Sequence, residues 1–206
     1  TIEDNFAYLL LSNLPHEGGT PEQAAQFADE WREGCRILRT GGSYDRYQAA
    51  TEALRGNDYI RETRGGWPTR DEYQSFQQTC VEGSCPDHDD DLCSYLPVAG
   101  FDALLASLDI DVLALFGAKD LNIDWRKVRA LYATTIGQNP QASLTTEVFA
   151  DADHVINVAE TGSIREMRAR TTAQKSEGYY DVQVDWLQRY VIGTAHKGLP
   201  ESAEER

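Results

Sequence analysis

The chain is 206 residues long, 41% hydrophobic and 26% charged, with a formal net charge of −15. That length buries a core in one domain, or in one domain with a small accessory one. The acidity argues against a nucleic-acid partner, which needs a basic face for the phosphates, and no run approaches the ~18 apolar residues of a membrane span. From the N-terminus, residues 4–13 predict a short amphipathic helix, closed by a Pro/Gly loop over 14–19. Thr20-Pro21-Glu22-Gln23 is a helix start: Thr20 caps, Pro21 suits the first helical position and Gln23 completes a capping box. Ala24, Phe27, Ala28, Trp31, Cys35 and Leu38 recur at intervals of three and four, giving that helix a wide apolar face before Gly41-Gly42 ends it. A helix over 44–54 stops at Gly56-Asn57, a turn covers 65–69, and residues 70–79 predict another helix. Residues 81–100 are loop-like and acidic, and 101–108 predict a short helix.

The pattern then changes from helical to alternating strand and helix. Residues 112–116 are an unbroken apolar run of the length expected for a strand buried on both faces. Gly117 stops it and Asp120 follows on the turn. A helix is predicted from Trp125 to about Ile136, with Val128, Leu131 and Tyr132 at helical spacing. A second strand over 144–149 leads through Asp151-Ala152-Asp153 to His154. If these strands are parallel neighbours joined by the helix, Asp120 and His154 both lie beyond their carboxyl ends. Open α/β sheets place ligand sites at that edge. A carboxylate that orients a histidine is two thirds of a hydrolytic triad, and imidazole's near-neutral pKa suits taking a proton from a serine hydroxyl. The plainer readings are a turn-capping Asp and an ordinary loop histidine. Asp151 and Asp153 flank His154 in sequence and are expected to point elsewhere, leaving Asp120 as its partner. Residues 155–178 are mixed and polar, with a helical part over 164–170; residues 181–192 predict an amphipathic helix with Val184, Leu187, Tyr190 and Val191 on one side, and a polar tail follows Gly193.

Cys35, Cys80, Cys85 and Cys93 are compatible with two disulfides in an oxidising compartment, and equally with four free thiols in the cytosol. The secreted or periplasmic and the cytoplasmic locations therefore both stay open. The Cys80/Cys85/His88/Cys93 group, beside Asp87 and Asp89 to Asp91, invites a metal reading. Its spacing matches neither a zinc pattern nor a calcium loop, so a disulfide with a solvated acidic loop is the expectation, with no metal.

The segment Val112-Leu113-Ala114-Leu115-Phe116-Gly117-Ala118-Lys119-Asp120, the strand ending Val148-Phe149-Ala150-Asp151-Ala152-Asp153-His154, and Asp185-Trp186-Leu187 resemble the C-terminal part of an α/β-hydrolase. Ser94-Tyr95-Leu96-Pro97 resembles the segment leading from a helical lid back into the sheet. The resemblance implies an α/β fold: a mostly helical lid over 1–95, then the last parallel strands and flanking helices of a hydrolase core over 96–206. It further implies a serine hydrolase, esterase or peptidase-like, that cleaves a small-molecule ester or amide through an acyl-enzyme. Asp120 would be the acid, His154 the base, and no cofactor would be needed. An Asp nucleophile (as in a dehalogenase or epoxide hydrolase) or an acyltransferase would use the same pair. The family's G-x-S-x-G elbow is missing: Gly41-Gly42-Ser43, Gly83-Ser84 and Gly162-Ser163 do not complete it. The expectation is that the nucleophile lies upstream of Thr1, in an N-terminal portion of the same hydrolase, and that this chain alone is incomplete. The alternative is a catalytically silent helical interaction module of hydrolase ancestry.

Overall fold

The computed structural model describes residues 2–64, 66–81 and 100–192. The acidic segment 82–99 and the tail after Ile192 lie outside them, and so does the candidate metal group with Cys85, His88 and Cys93. The fold is mixed α/β, and the chain forms two compact units. One comprises Thr1–Phe101, Asp120–Asp124 and Gly162–Arg170; the other comprises Asp102–Lys119, Trp125–Thr161 and Thr171–Arg206. Among the described residues no helix is long and apolar enough to cross a membrane.

The first unit is helical: α1 (Ile2–Asn13), α2 (Pro21–Arg39), α3 (Tyr44–Ala50), α4 (Glu52–Gly56), α5 (Asp58–Arg64) and α6 (Arg70–Val81). The capping box at α2 is made as its sequence predicts. The Gln23 amide N–H donates to Thr20 Oγ1 at 3.2 Å, and the Thr20 amide donates to Gln23 Oε1 at 3.0 Å. The apolar face of α2 (Phe27, Ala28, Trp31, Cys35, Leu38) is buried with Ala7 and Leu10 of α1 and with Tyr47, Leu54 and Tyr73. Phe6 packs on Trp31 with ring centroids 4.5 Å apart. Gly34 sits where α2 closely approaches the end of α3, since a Cβ there would lie 2.6 Å from Thr51 Cγ2.

The helix predicted over 44–54 is two helices, broken at Thr51. Thr51 is buried, and its hydroxyl turns back to donate to the Tyr47 carbonyl at 2.9 Å, the local bond by which Ser and Thr compete with helix geometry. Helix α5 was not expected after the Gly56-Asn57 stop; Asn57 instead caps it, accepting from the Ile60 amide at 3.2 Å. Cys35 is fully buried and disulfide-bonded, so the four-free-thiol alternative does not hold.

The second unit holds α7 (Phe101–Ala106), most of which belongs to it, then β1 (Asp111–Gly117), α8 (Trp125–Thr134), β2 (Ser143–Phe149) and α10 (Tyr179–Leu187). The short helix α9 (Ile164–Ala169) returns to the first unit. Strands β1 and β2 pair in parallel with α8 between them in sequence, in a register that sets Asp111 opposite Ser143 and Gly117 opposite Phe149. This is the βαβ arrangement expected from the two apolar runs. Helix α8 ends earlier than predicted, at Thr134, and a 3-10 turn over Ile136–Gln138 follows. Aromatic packing joins sheet and crossover, with Phe116 6.3 Å from Trp125 and 6.5 Å from Tyr132 between centroids. On the C-terminal side Phe149, Ala152 and Ile156 form a small core with Tyr179 and Val182. The expected apolar side of 181–192 is present, yet Val184, Leu187 and Val191 are exposed.

Candidate functional site

In the second unit, the carboxyl ends of β1 and β2 are locked together by backbone. A Cβ on Gly117 would lie 2.1 Å from the Asp153 carbonyl oxygen and 2.5 Å from that of Ala152, so only glycine permits this approach. The chain leaving β1 stays on the same loop: the Ala118 amide donates to the Phe149 carbonyl and the Lys119 amide to the Ala152 carbonyl, both at 2.9 Å. The Lys119 ammonium donates to the Ala159 carbonyl, and the Trp125 indole N–H donates to the Ala118 carbonyl at 3.3 Å. The next residue after Lys119 is Asp120, and the next after Asp153 is His154.

His154 sits on a turn held from several sides. Asp153 is fully buried, and its Oδ1 accepts from the Val155 and Asn157 amides, each at 3.0 Å. The Ile156 amide donates to the Asp153 carbonyl at 3.0 Å, and the Asp153 amide to the Asn157 carbonyl at 2.9 Å. The turn forces Ile156 to a φ of 57°, a left-handed conformation that a β-branched side chain adopts only under strain. A second layer supports it: Lys175 donates to the Val155 carbonyl at 2.6 Å, the Ser176 amide to the Ile156 carbonyl at 3.1 Å, and the Ser176 hydroxyl to Asp151. Asp153 and Asp151 thus spend carboxylate oxygens on the loop itself. His154 is partly exposed on this scaffold.

Asp120 is buried and belongs to the first unit. Its Oδ1 accepts from the Asn122 amide at 2.8 Å and the Ile123 amide at 3.0 Å, so it shapes the turn over 120–123. Its carbonyl accepts from the Tyr8 hydroxyl at 2.9 Å. The following residues are held as firmly: the Leu121 carbonyl accepts from Ser12 Oγ at 2.6 Å and from Asn13 Nδ2 at 2.8 Å. In the same unit Glu17 has a side chain only 10% exposed and lies 3.7 Å from the Arg165 guanidinium. Burial pushes the Tyr59 hydroxyl up to about 12; the Glu17 charge adds to that rise and Arg168 opposes it.

The serines of the partial elbow motifs have helix-capping roles. Ser43 Oγ accepts from the Arg46 amide at 3.3 Å at the start of α3, and Ser163 Oγ accepts from the Glu166 amide at 3.2 Å at the start of α9. Neither follows a strand. Gly83-Ser84 lies outside the described residues. Among those described, no group of three or more His, Cys, Asp or Glu side chains is arranged to hold a metal ion. Sequence reasoning picked out Asp120 and His154 but missed the supporting residues. Asn13 and Tyr8 reach the Asp120 segment from over a hundred positions away, and no local pattern announces them. The Asp153 turn did carry a local signal, an Asp two and four residues ahead of the amides it accepts from.

Among known proteins the chain matches no family model, no curated protein and no solved structure.

Proposed function

We propose that this chain is the acid–histidine portion of a serine hydrolase of the α/β-hydrolase type, cleaving an ester or amide through an acyl-enzyme. A serine carried by a further portion of the hydrolase attacks the carbonyl. His154 takes the serine proton and then delivers it to the leaving group, while Asp120 holds the imidazole in its working orientation. The observation that carries this reading is the parallel β1–β2 pair whose two outgoing loops are locked at Gly117 and Asp153, one running into Asp120 and the other into His154. The strained, multiply anchored turn under His154 supports it, because backbone strain of this kind concentrates where a side chain must be aimed. The Cys35 disulfide fits an oxidising compartment.

The test is made on the complete enzyme, with a fluorophosphonate probe and a panel of short-chain esters. His154→Ala should lower turnover by about three to four orders of magnitude while the circular dichroism spectrum stays unchanged. Near-normal turnover in that variant removes the assignment. The second reading, a catalytically silent interaction module, is favoured by Asp120 already serving its own turn. It predicts no labelled serine anywhere in the polypeptide and no effect of His154→Ala on any hydrolysis.

A further inference from the structure

Helix α8 packs on the sheet through Trp125 and Tyr132, whose rings meet Phe116, and Trp125 is buried. Arg126, Arg129, Ala130 and Ala133 fall together on another face at helical spacing, and all four are exposed. With Trp125 they line an open cleft of about 490 Å³. The Arg126 guanidinium lies over the Trp125 ring, 4.3 Å from its centroid, and the indole is tied down by its N–H bond to the Ala118 carbonyl. Stacking fixes the guanidinium plane and leaves its edge N–H groups available to grip a planar acid. Two features set this face against the rest of the chain. Acids outnumber bases 34 to 19, and Arg32, Arg36, Arg61 and Arg70 of the helical unit each sit against an Asp or Glu. Among the described residues neither Arg126 nor Arg129 has a carboxylate within 4.0 Å. The helix also runs against its own dipole, which favours acids at the start and cations at the end. Arg126, Lys127 and Arg129 fall within its first five residues, no acid lies in its first turn and no base in its last, and Asp124 is the acid nearest in sequence.

Charge and shape together select what this face takes. Two guanidiniums on one side of a helix repel each other at a positive helix end, and a negative partner relieves both costs. A long polyanion such as nucleic acid, or an anionic membrane, would meet a chain of net charge −15 far beyond these two side chains and be repelled. The anion is therefore local and carries little charge elsewhere. Ala130 and Ala133 present only methyl groups between and beyond the arginines, so a backbone can lie close along the cleft. Residues three apart on a helix stand about 5–6 Å from each other. Alternate side chains of an extended peptide share a side at about 7 Å spacing, which sets one carboxylate on each guanidinium. We propose that the Arg126–Arg129 face of α8 is a docking site for an extended acidic peptide segment of a partner protein, carrying carboxylates at alternate positions. The site stands apart from the hydrolytic reading: it uses neither Asp120 nor His154.

Nitrogen-15 correlation spectra of the 206-residue chain test this by titration with the blocked peptide acetyl-Ala-Glu-Ala-Glu-Ala-amide and its glutamine counterpart. The glutamate peptide should produce saturable shifts in the α8 amides and the Trp125 indole N–H. The glutamine peptide should bind at least about tenfold more weakly, and so should the glutamate peptide to the double variant Arg126→Gln, Arg129→Gln. Arg189→Gln, which removes the same charge from an exposed arginine of the same unit, should leave the affinity within about twofold. Both variants are surface changes and should keep the circular dichroism of the parent. Four results overturn the proposal. One is no shift at α8 up to about 10 mM peptide, an affinity too weak for a docking site. The second is an equal loss in Arg189→Gln, which reduces the binding to net charge. The third is inorganic phosphate or heparin displacing the peptide from α8 at lower concentration, which makes the face a general anion site. The last is broadening of α8 that grows with protein concentration, without peptide, and vanishes in the double variant, which assigns the face to a second copy of the chain.

Discussion

Asn13 does more for the neighbourhood of Asp120 than any residue a pattern search would choose. It is fully buried at the end of α1, where Nδ2 donates to the Leu121 carbonyl at 2.8 Å and to the Leu9 carbonyl at 3.3 Å, and Oδ1 accepts from the Ile164 amide at 2.9 Å. One side chain thus joins α1, the residue after Asp120 and the first residue of α9, all within the first unit. Truncation takes the acceptor from the half-buried Ile164 amide, while Ser12 Oγ still serves the Leu121 carbonyl. A buried group without its partner costs about 1–3 kcal/mol. Asn13→Ala should therefore destabilise the helical unit by about 2–4 kcal/mol once lost packing is included, as a lower midpoint in urea at unchanged slope. Asn13→Asp keeps the acceptor for Ile164 but turns a donor into an acceptor facing Leu121, and should recover only part of the loss. From sequence, Asn13 is legible as a helix end and nothing more. Its partners lie 108 and 151 positions away, so its role follows from the tertiary fold.

The elements themselves were legible wherever a local rule governs them. The capping box of α2, the run of β1 and the β1–α8–β2 alternation all follow from side chains within a few positions of one another. The failures were of two kinds. At Thr51 a hydroxyl bonded back to its own turn and split a helix that the apolar periodicity alone would continue. At α10 the periodicity was right, but an apolar stripe does not reveal whether this chain covers it. The turn after β1 shows where a local signal and a long-range demand coincide. Gly117 reads in sequence as a strand stop, and in the fold it is also the point where two backbones meet. Replacing it with Ala puts a methyl against two carbonyl oxygens, neither of which is the end of a flexible side chain. Gly117→Ala should cost about 1–3 kcal/mol, and amide exchange should speed at Lys119, whose bond to Ala152 depends on that approach. Unchanged stability would mean that the two loops can separate without loss, and would weaken the site geometry with it.

At the scale of the molecule, the division into a helical unit and a sheet-bearing unit makes a prediction that the disulfide can test. Cys35 is buried on the apolar face of α2, the helix on which α1, α3 and α6 pack, and its bridge therefore constrains the helical unit. A disulfide stabilises mainly by restricting the unfolded chain, typically by about 2–4 kcal/mol, and the effect grows with the length of the loop it closes. The other three cysteines come no earlier in sequence than Cys80, so the closed loop is long. Reduction should open the helical unit selectively. In hydrogen exchange followed by mass spectrometry, peptides covering α2 should gain exchange under a phosphine reductant, to an extent matching a loss of about 2–4 kcal/mol. Peptides covering β1 and β2 should keep the rates they have in the oxidised protein, because their ladder and the Gly117 lock contain no cysteine. Equal gains in both sets would show that the units unfold as one cooperative body. No gain in either would show that the helical core of Phe27, Trp31, Leu38 and Tyr47 holds α2 without the bridge, and that the cysteine pair is dispensable for stability.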